Sequence, residues 1–385
     1  AIMSIPRDPA SQQSGLTKPV RIVTLQLSCF RNIRRVETQL GPSVNLLVGG
    51  NGQGKTNFVE AVTFLSWMRS FRTAKTADLP MHGCEAAGIM ARIEGARGSD
   101  LVEVTVGRGF RKVQVSGKAV RAARQMLAVF PLVCMSPEDP AVLSGGPEGR
   151  RLLLDRLAGI ICPESIADLT RYERLLRERN HLLKDASRGA TDPVLMAAQE
   201  ETLAAAGAQV GRIRLEALER LMQELPSTLA YLAGEDLGVS AEYRPVWHTD
   251  GNPAESLLSQ LRSRRAIDLA LGYTGVGPHA DDLTVQIRGY RARGLASRGQ
   301  LKIVLLGWKS AEARLISALR GMMPVMVLDD VLGDLDLDRQ ARVLRFLGEY
   351  EGQSFLTSPV PMAGPGREAF VFEVKSGNVV TVAGA

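Results

Sequence analysis

Cysteine and histidine are scarce in this chain, and what it has of each is scattered. Cys29, Cys84, Cys134 and Cys162 show no CxxC spacing, which argues against a disulfide framework and for reduced, partly buried thiols. The four histidines are equally dispersed, so no metal site is foreseen from them. No apolar run approaches the roughly 18 residues of a membrane span. The first residues, AIMSIPRDPASQQSGLTKP, lack the apolar core of a signal peptide, and 1–19 reads as a disordered leader on a cytoplasmic protein without membrane contact. An acidic excess is missing too. Lys plus Arg (47) outnumber Asp plus Glu (41), for a formal charge of +6 and a pI near 9.3. That balance permits a nucleic-acid partner without requiring one, since many basic metabolic enzymes share it.

What is present is an ordinary globular composition, 45% hydrophobic and 23% charged over 385 residues, enough for one large or two medium domains. RIVTLQLSCF (21–30), VETQL (36–40) and VNLLVG (44–49) predict strands, and 57–71 predicts a helix. Strand patterns follow at 88–94, 101–107, 111–117 and 127–136. From about 147 to 225 the pattern is helical, broken at 185–193, with a seam of Leu203, Ala206, Val210, Ile213, Ala217 and Leu221. The break suggests an antiparallel helical hairpin. Strand character returns at 238–245, followed by a helix at 301–320, an apolar strand at 324–328, a helix at 337–350 and terminal strands. This order predicts one α/β domain split in sequence, its parts at 20–146 and 236–385, with a helical arm inserted at 147–235.

Residues 46–57 read LLVGGNGQGKTN, and Gly49-x-x-x-x-Gly54-Lys55-Thr56 fits the phosphate-loop pattern in full. Glycine permits positive φ and lets backbone N–H groups converge on phosphate oxygens. Gly49, Gly50, Asn51, Gly52, Gln53, Gly54, Lys55, Thr56 and Asn57 are therefore nucleotide-binding candidates for ATP. Lys55 would meet the β- and γ-phosphates, and the Thr56 hydroxyl would ligate Mg²⁺. The helix that follows points its positive dipole end at the same anion. Downstream, PVMVLDDVLGDLD (324–336) is an apolar strand ending in two carboxylates. Buried carboxylates are costly unless paired or metal-bound. Asp329 is thus the second Mg²⁺ candidate, and Asp330, with Lys55, the catalytic candidate, polarising the attacking water.

Ser297-x-Gly299-Gln300 stands immediately before a helical pattern. Alone it reads as an N-cap. Beside the other two motifs it resembles the signature of ABC-type ATPases, in which one subunit's helix N-terminus covers the γ-phosphate bound by its partner. With CFRNIRRVE (29–37), GGNGQGKTNFVEAV (49–62), RSFRT (69–73), SPEDPAVLSGGPEGRRLLLD (136–155), GPHADDL (277–283), SRGQLK (297–302) and LDDVLGDLD (328–336), the chain resembles the RecF family, bacterial recombination-mediator ATPases related to SMC proteins. The resemblance implies an ABC-type ATPase head (a P-loop NTPase) with an inserted arm. It also implies Arg72 as a nucleotide sensor, an ATP-dependent homodimer, and action at single-strand gaps in DNA with RecO and RecR to help load RecA.

Departures from the family pattern are Ala280 for arginine, Leu301 and Lys302 for Gln-Arg, and Gly333 for serine. They bear on dimerisation more than on nucleotide binding. Asp330 in place of the transporters' glutamate, and Thr357-Ser358 in place of their switch histidine, predict slow hydrolysis, and the resemblance implies that it is DNA-dependent. Candidate DNA contacts are Arg111, Lys112 and Lys118 in the β-rich region and Arg171, Arg174 and Arg177 on the arm, each of which could equally be a solvated charge. Two other readings share some of these motifs. The nucleotide-binding subunit of an ABC transporter predicts a switch histidine, and a small-molecule kinase leaves Ser297–Gln300 unexplained.

Overall fold

Buried strands alternate with helices at both ends of the chain, so the polypeptide leaves its central sheet for the arm and returns to complete it. The computed structural model describes residues 18–95, 98–186, 193–247, 251–361 and 369–382. Most of the foreseen leader (1–17) lies outside the described residues. Lys18 and Pro19 pair in parallel with Met322 and Met323.

The central sheet has the order Asn378–Val382, Ala369–Lys375, Val44–Val48, Ser354–Ser358, Val325–Leu328, Leu132–Met135. All neighbours are parallel except the terminal hairpin. Val44–Val48, Ser354–Ser358, Val325–Leu328 and Leu132–Met135 are buried throughout, as expected for parallel strands covered on both faces. A second, antiparallel sheet runs Ile33–Gln39, Arg21–Phe30, Ala86–Gly95, Gly98–Gly107, Phe110–Val115, Lys118–Val120. Helix Lys55–Trp67 is buried nearly all round, and one continuous core joins both sheets.

Several boundaries differ from the sequence expectation. The segment 127–136 is not one strand: helix Ala123–Val129 gives way to strand Leu132–Met135. Pro131 disfavours helical conformation at Phe130 and forces the change. The helix foreseen to 71 stops at Trp67, with Met68 in the left-handed region (φ 52°). Strand Asp282–Ile287 and helices Pro253–Ser263 and Arg265–Leu271 were not foreseen. Asn252, whose side chain accepts from Ala254 N, and Pro253 at the first helical position were the available signals.

Helices Ser165–Ala186 and Pro193–Ala233 run antiparallel, since Asp168 meets Gln209 while Arg179 meets Glu200. Their seam divides. Leu203, Ala206 and Val210 pack with Tyr172, Leu175 and Trp247 in a small separate core. Ala217 and Leu221 belong to the main core, with Ile213 half-buried against it. Lower on the same helix, Leu229 packs so closely on helix Arg298–Arg320 that a Cβ at Gly307 would lie 2.4 Å from it. The long helix is therefore half arm and half head.

Candidate functional site

The phosphate loop connects the C-terminal end of Val44–Val48 to helix Lys55–Trp67. Gly52 and Gly54 have φ of 76° and 118°, a region other residues enter only with strain. At Gly54 a Cβ would also meet Asn32 Oδ1 at 2.8 Å, and at Gly49 it would meet the Val374 carbonyl oxygen at 2.2 Å. Lys55 Nζ donates to the carbonyls of Gly49 (2.6 Å) and Gly50 (2.9 Å). Burial lowers the Lys55 pKa from its ordinary value, while Asp329 and Asp330 pull it up.

Distant segments hold the loop in place. Gln53 Oε1 accepts from Ser376 N (2.7 Å), and Gln53 O accepts from Gly377 N (2.8 Å) and Asn32 Nδ2 (3.2 Å). Asn57 Nδ2 donates to Asn32 Oδ1 (2.7 Å), and Asn57 Oδ1 accepts from Arg72 (2.8 Å). Buried Glu60 takes a bidentate pair from Arg31 (2.6 and 2.9 Å), a bond from the Ser70 hydroxyl, and Arg72 at 3.7 Å. Arg72 is thus aimed by Asn57 and Glu60 beside the loop, the position from which a guanidinium can sense a nucleotide. Sequence reasoning gave Asn32, Arg31, Ser376 and Gly377 no role, although Arg31 and Asn32 stood in a quoted motif. Ser376 lies 323 residues from Gln53, a pairing no local pattern reveals.

The two aspartates have opposite environments. Asp329 is 1% exposed, and its Oδ1 accepts from Thr357 Oγ1 (2.7 Å) and Thr56 Oγ1 (3.2 Å). Its Oδ2 is buried without a hydrogen-bond partner among the described residues. Burial raises the Asp329 carboxyl above its ordinary range, the two hydroxyl bonds oppose this, and Asp330 and Glu138 add to the rise. An orphaned carboxylate oxygen beside a threonine hydroxyl is costly, and a divalent cation is the group that repays it. The donor set therefore fits Mg²⁺. Asp330 is exposed, has φ 50°, and its carboxylate takes no hydrogen bond among the described residues. Its main chain is clamped on both sides, N by Thr357 Oγ1 (2.9 Å) and O by Lys302 Nζ (3.0 Å).

Ser297 is the N-cap of helix Arg298–Arg320. Its hydroxyl accepts from Gln300 N (3.2 Å), and Gln300 Oε1 accepts from Ser297 N (2.9 Å), a reciprocal capping box. Ser297 is exposed, and no hydrogen bond among the described residues ties Ser297–Gln300 to the phosphate loop. Lys302, at the family's arginine position, instead bonds Asp334 (2.8 Å), and a Cβ at Gly299 would sit 3.2 Å from Asp334 O. Gly333 is exposed in the same turn.

The family stretches 136–155 and 277–283 meet each other at the base of the arm. Arg150 forms a bidentate pair with Asp282 (2.8 and 2.9 Å), Arg151 donates to Asp281 O (2.7 Å), and Arg214 spans Asp155 and Pro278 O. Ala280 therefore lies in a loop already supplied with arginines. In this loop His279 Nε2 faces Thr274 O (2.8 Å) and must carry the hydrogen, so Nδ1 accepts from the Tyr172 hydroxyl (2.7 Å).

The DNA candidates do not form one surface. Arg111 and Lys112 are neighbours on strand Phe110–Val115 and point to opposite faces. Arg111, on the face of buried Val113, donates to the Met68 carbonyl at the end of the phosphate-loop helix. Lys112 and Lys118 are exposed. On the arm Arg171, Arg174 and Arg177 are exposed, and Arg174 lies 3.7 Å from Glu178.

The model of the RecF/RecN/SMC N-terminal domain matches residues 21–359. DNA replication and repair protein RecF of Myxococcus xanthus (strain DK1622) is 33% identical over 349 residues, covering 88% of this chain and 90% of its own. The RecF of Anaeromyxobacter sp. (strain Fw109-5) is 32% identical over 371 residues, covering 94% and 99%. A structure of the recombination mediator RecF with ATP superposes with a TM-score of 0.87 at 28% identity, covering 96% of this chain and 100% of that one. An Smc head domain from Pyrococcus furiosus shares the fold at TM-score 0.56 and 16% identity over 94% of this chain and 96% of its own. The chain thus belongs to the RecF family of DNA replication and repair proteins, with an ABC-like, SMC-related ATPase head into which long helices are inserted.

Proposed function

We propose that this protein is an ATP-switched, DNA-binding recombination mediator that dimerises around ATP and acts at single-strand gaps. The observation that carries this reading is the Asp329 carboxylate, held on one oxygen by Thr56 and Thr357 and without a partner among the described residues on the other, at the mouth of a complete phosphate loop. Lys55 would exchange its two loop carbonyls for phosphate oxygens, and the loop N–H groups would donate to the remaining phosphate oxygens. Mg²⁺ bound by Thr56 and Asp329 would neutralise charge on that triphosphate. Asp330, unbonded and exposed, would polarise water. Its side chain is one methylene shorter than glutamate, which favours slow turnover and hence a switch.

The exposed capping box at Ser297–Gln300 supports completion of the site by a second copy. RecO and RecR are the expected partners, since the RecF relative with ATP is described as part of a RecFOR pathway, and help in loading RecA would follow. DNA would be met electrostatically, and of its candidates Lys112, Lys118, Arg171 and Arg177 are exposed with neither an ion pair nor a side-chain hydrogen bond among the described residues. The test is sedimentation together with gapped-duplex binding, using ATP, ADP and no nucleotide. Tighter binding and a dimer with ATP alone are expected. Equal affinity in all three states would overturn the reading.

A further inference from the structure

Strand Ser354–Ser358 separates the strand that feeds the phosphate loop from the strand that ends in the two aspartates. Thr357 stands opposite Leu47 on one side, and one step past the Leu328–Leu356 pair on the other, which brings it level with Asp329. It is 1% exposed. A hydroxyl can donate once and accept, and this one does both: it donates to Asp329 Oδ1 (2.7 Å) and accepts from Asp330 N (2.9 Å).

We infer that Thr357 is a positioning residue for the nucleotide reaction, setting both acids through one hydroxyl. The inference rests on the function proposed above. Fixing Oδ1 stops the Asp329 carboxylate from rotating, so Oδ2 stays without a donor among the described residues. Thr56 also bonds Oδ1, but at 3.2 Å it is the longer contact, and its oxygen is the one assigned to the cation. Thr357 is the shorter contact, and its oxygen is not assigned to the cation. The bond to Asp330 N does separate work. A non-glycine residue at φ 50° is held there against local preference, and Thr357 with Lys302 clamps both main-chain groups of that residue. Releasing one side lets Asp330 relax and moves its carboxylate.

A plain structural role, a buried threonine satisfying buried groups, predicts a different outcome on substitution. Thr357→Val keeps the shape and removes the hydroxyl, and Thr357→Ser keeps the hydroxyl and removes the methyl. Three readings are to be taken on the full-length protein: the Mg²⁺ concentration that half-saturates binding of a fluorescent ATP analogue, affinity for that analogue without Mg²⁺, and kcat. Thr357→Val is expected to raise the Mg²⁺ midpoint and lower kcat by about tenfold each, with Mg²⁺-free affinity within about twofold, as for outer groups that orient metal ligands. Thr357→Ser is expected to stay near wild type, and it carries the test if the valine variant folds poorly. Loss in Thr357→Ser equal to that in Thr357→Val, or an unchanged Mg²⁺ midpoint in Thr357→Val, overturns the inference. Asp329→Asn serves as the control. If it leaves Mg²⁺-dependent binding intact, the proposed function fails and the inference with it; if it abolishes that dependence while Thr357→Val does not shift it, the inference alone fails.

Discussion

The phosphate loop and the signature turn are built in opposite ways. The loop is braced from several directions, by Asn32, Ser376 and Gly377 on Gln53, by Lys55 on its own carbonyls, and by Asp329 on Thr56. The signature turn bonds mainly to itself through the Ser297–Gln300 box, presents Ser297 to solvent, and is tied to the acidic loop by Lys302. A loop that must hold phosphate unaided has to be rigid before the ligand arrives. A turn that, on the function proposed above, would complete another copy's site needs only its local shape and an open approach.

The largest effect that breaks this contrast is expected at Lys55. Lys55→Arg keeps the charge but not its compact geometry, so hydrolysis should fall about 10²–10³-fold while some nucleotide binding survives. Wild-type turnover in a single-turnover assay would show the site to be misplaced. Ser297→Arg should do the reverse. Nucleotide affinity of the monomer should stay within about twofold, while the ATP-dependent dimer weakens at least about tenfold in sedimentation.

The glycines sharpen the comparison further. Gly54→Ala places a Cβ at φ 118° and 2.8 Å from Asn32 Oδ1, a strain of about 1–3 kcal/mol, so nucleotide affinity should drop about tenfold with a lower melting temperature. Gly299→Ala meets one carbonyl oxygen at 3.2 Å, and the monomer's stability and nucleotide affinity should barely change. If only its ATP-dependent dimer weakens, Gly299 is small for the sake of the second copy. Equal monomer losses in both variants would erase the distinction.

The smallest effect lies away from both halves. Burial pushes the His279 ring below its ordinary 6.5, with Thr274 and Asp268 opposing and Arg151 and Arg214 reinforcing. On acidification the unfolded chain takes up that proton first. The ring's contribution is complete above 6.5 and drains away as pH falls toward the lowered folded value. His279→Gln should flatten the fall in melting temperature between pH 7.5 and 5.5 by about 1–2 °C. Neither half of the nucleotide site should respond.

How legible each part was follows from the range of the interactions that make it. Four glycines among Gly49–Lys55, an apolar strand ending in Asp329, and Ser297 three residues before Gln300 are local patterns, and each forms the turn or strand end it predicts. Helix ends were less legible. Met68 leaves the helix as the following Ser70 and Arg72 are drawn back to Glu60, and the sequence from 57 to 71 continues a helical period regardless. The DNA candidates illustrate the same limit. Arg111 and Lys112 are adjacent letters, but sheet alternation puts them on opposite faces and spends one on a helix end.

By itself, then, the sequence determined the local patterns on which the proposed chemistry rests: a loop of phosphate-binding type, a pair of carboxylates ending an apolar strand and a helix cap of signature type, because each depends on residue type at short spacing. Tertiary structure alone decided which oxygen of Asp329 is free, that Thr357 holds the other, and that a hairpin more than 300 residues away braces Gln53. Parallel strands bring together residues whose separation along the chain carries no periodic signal, so only the folded sheet order makes them neighbours.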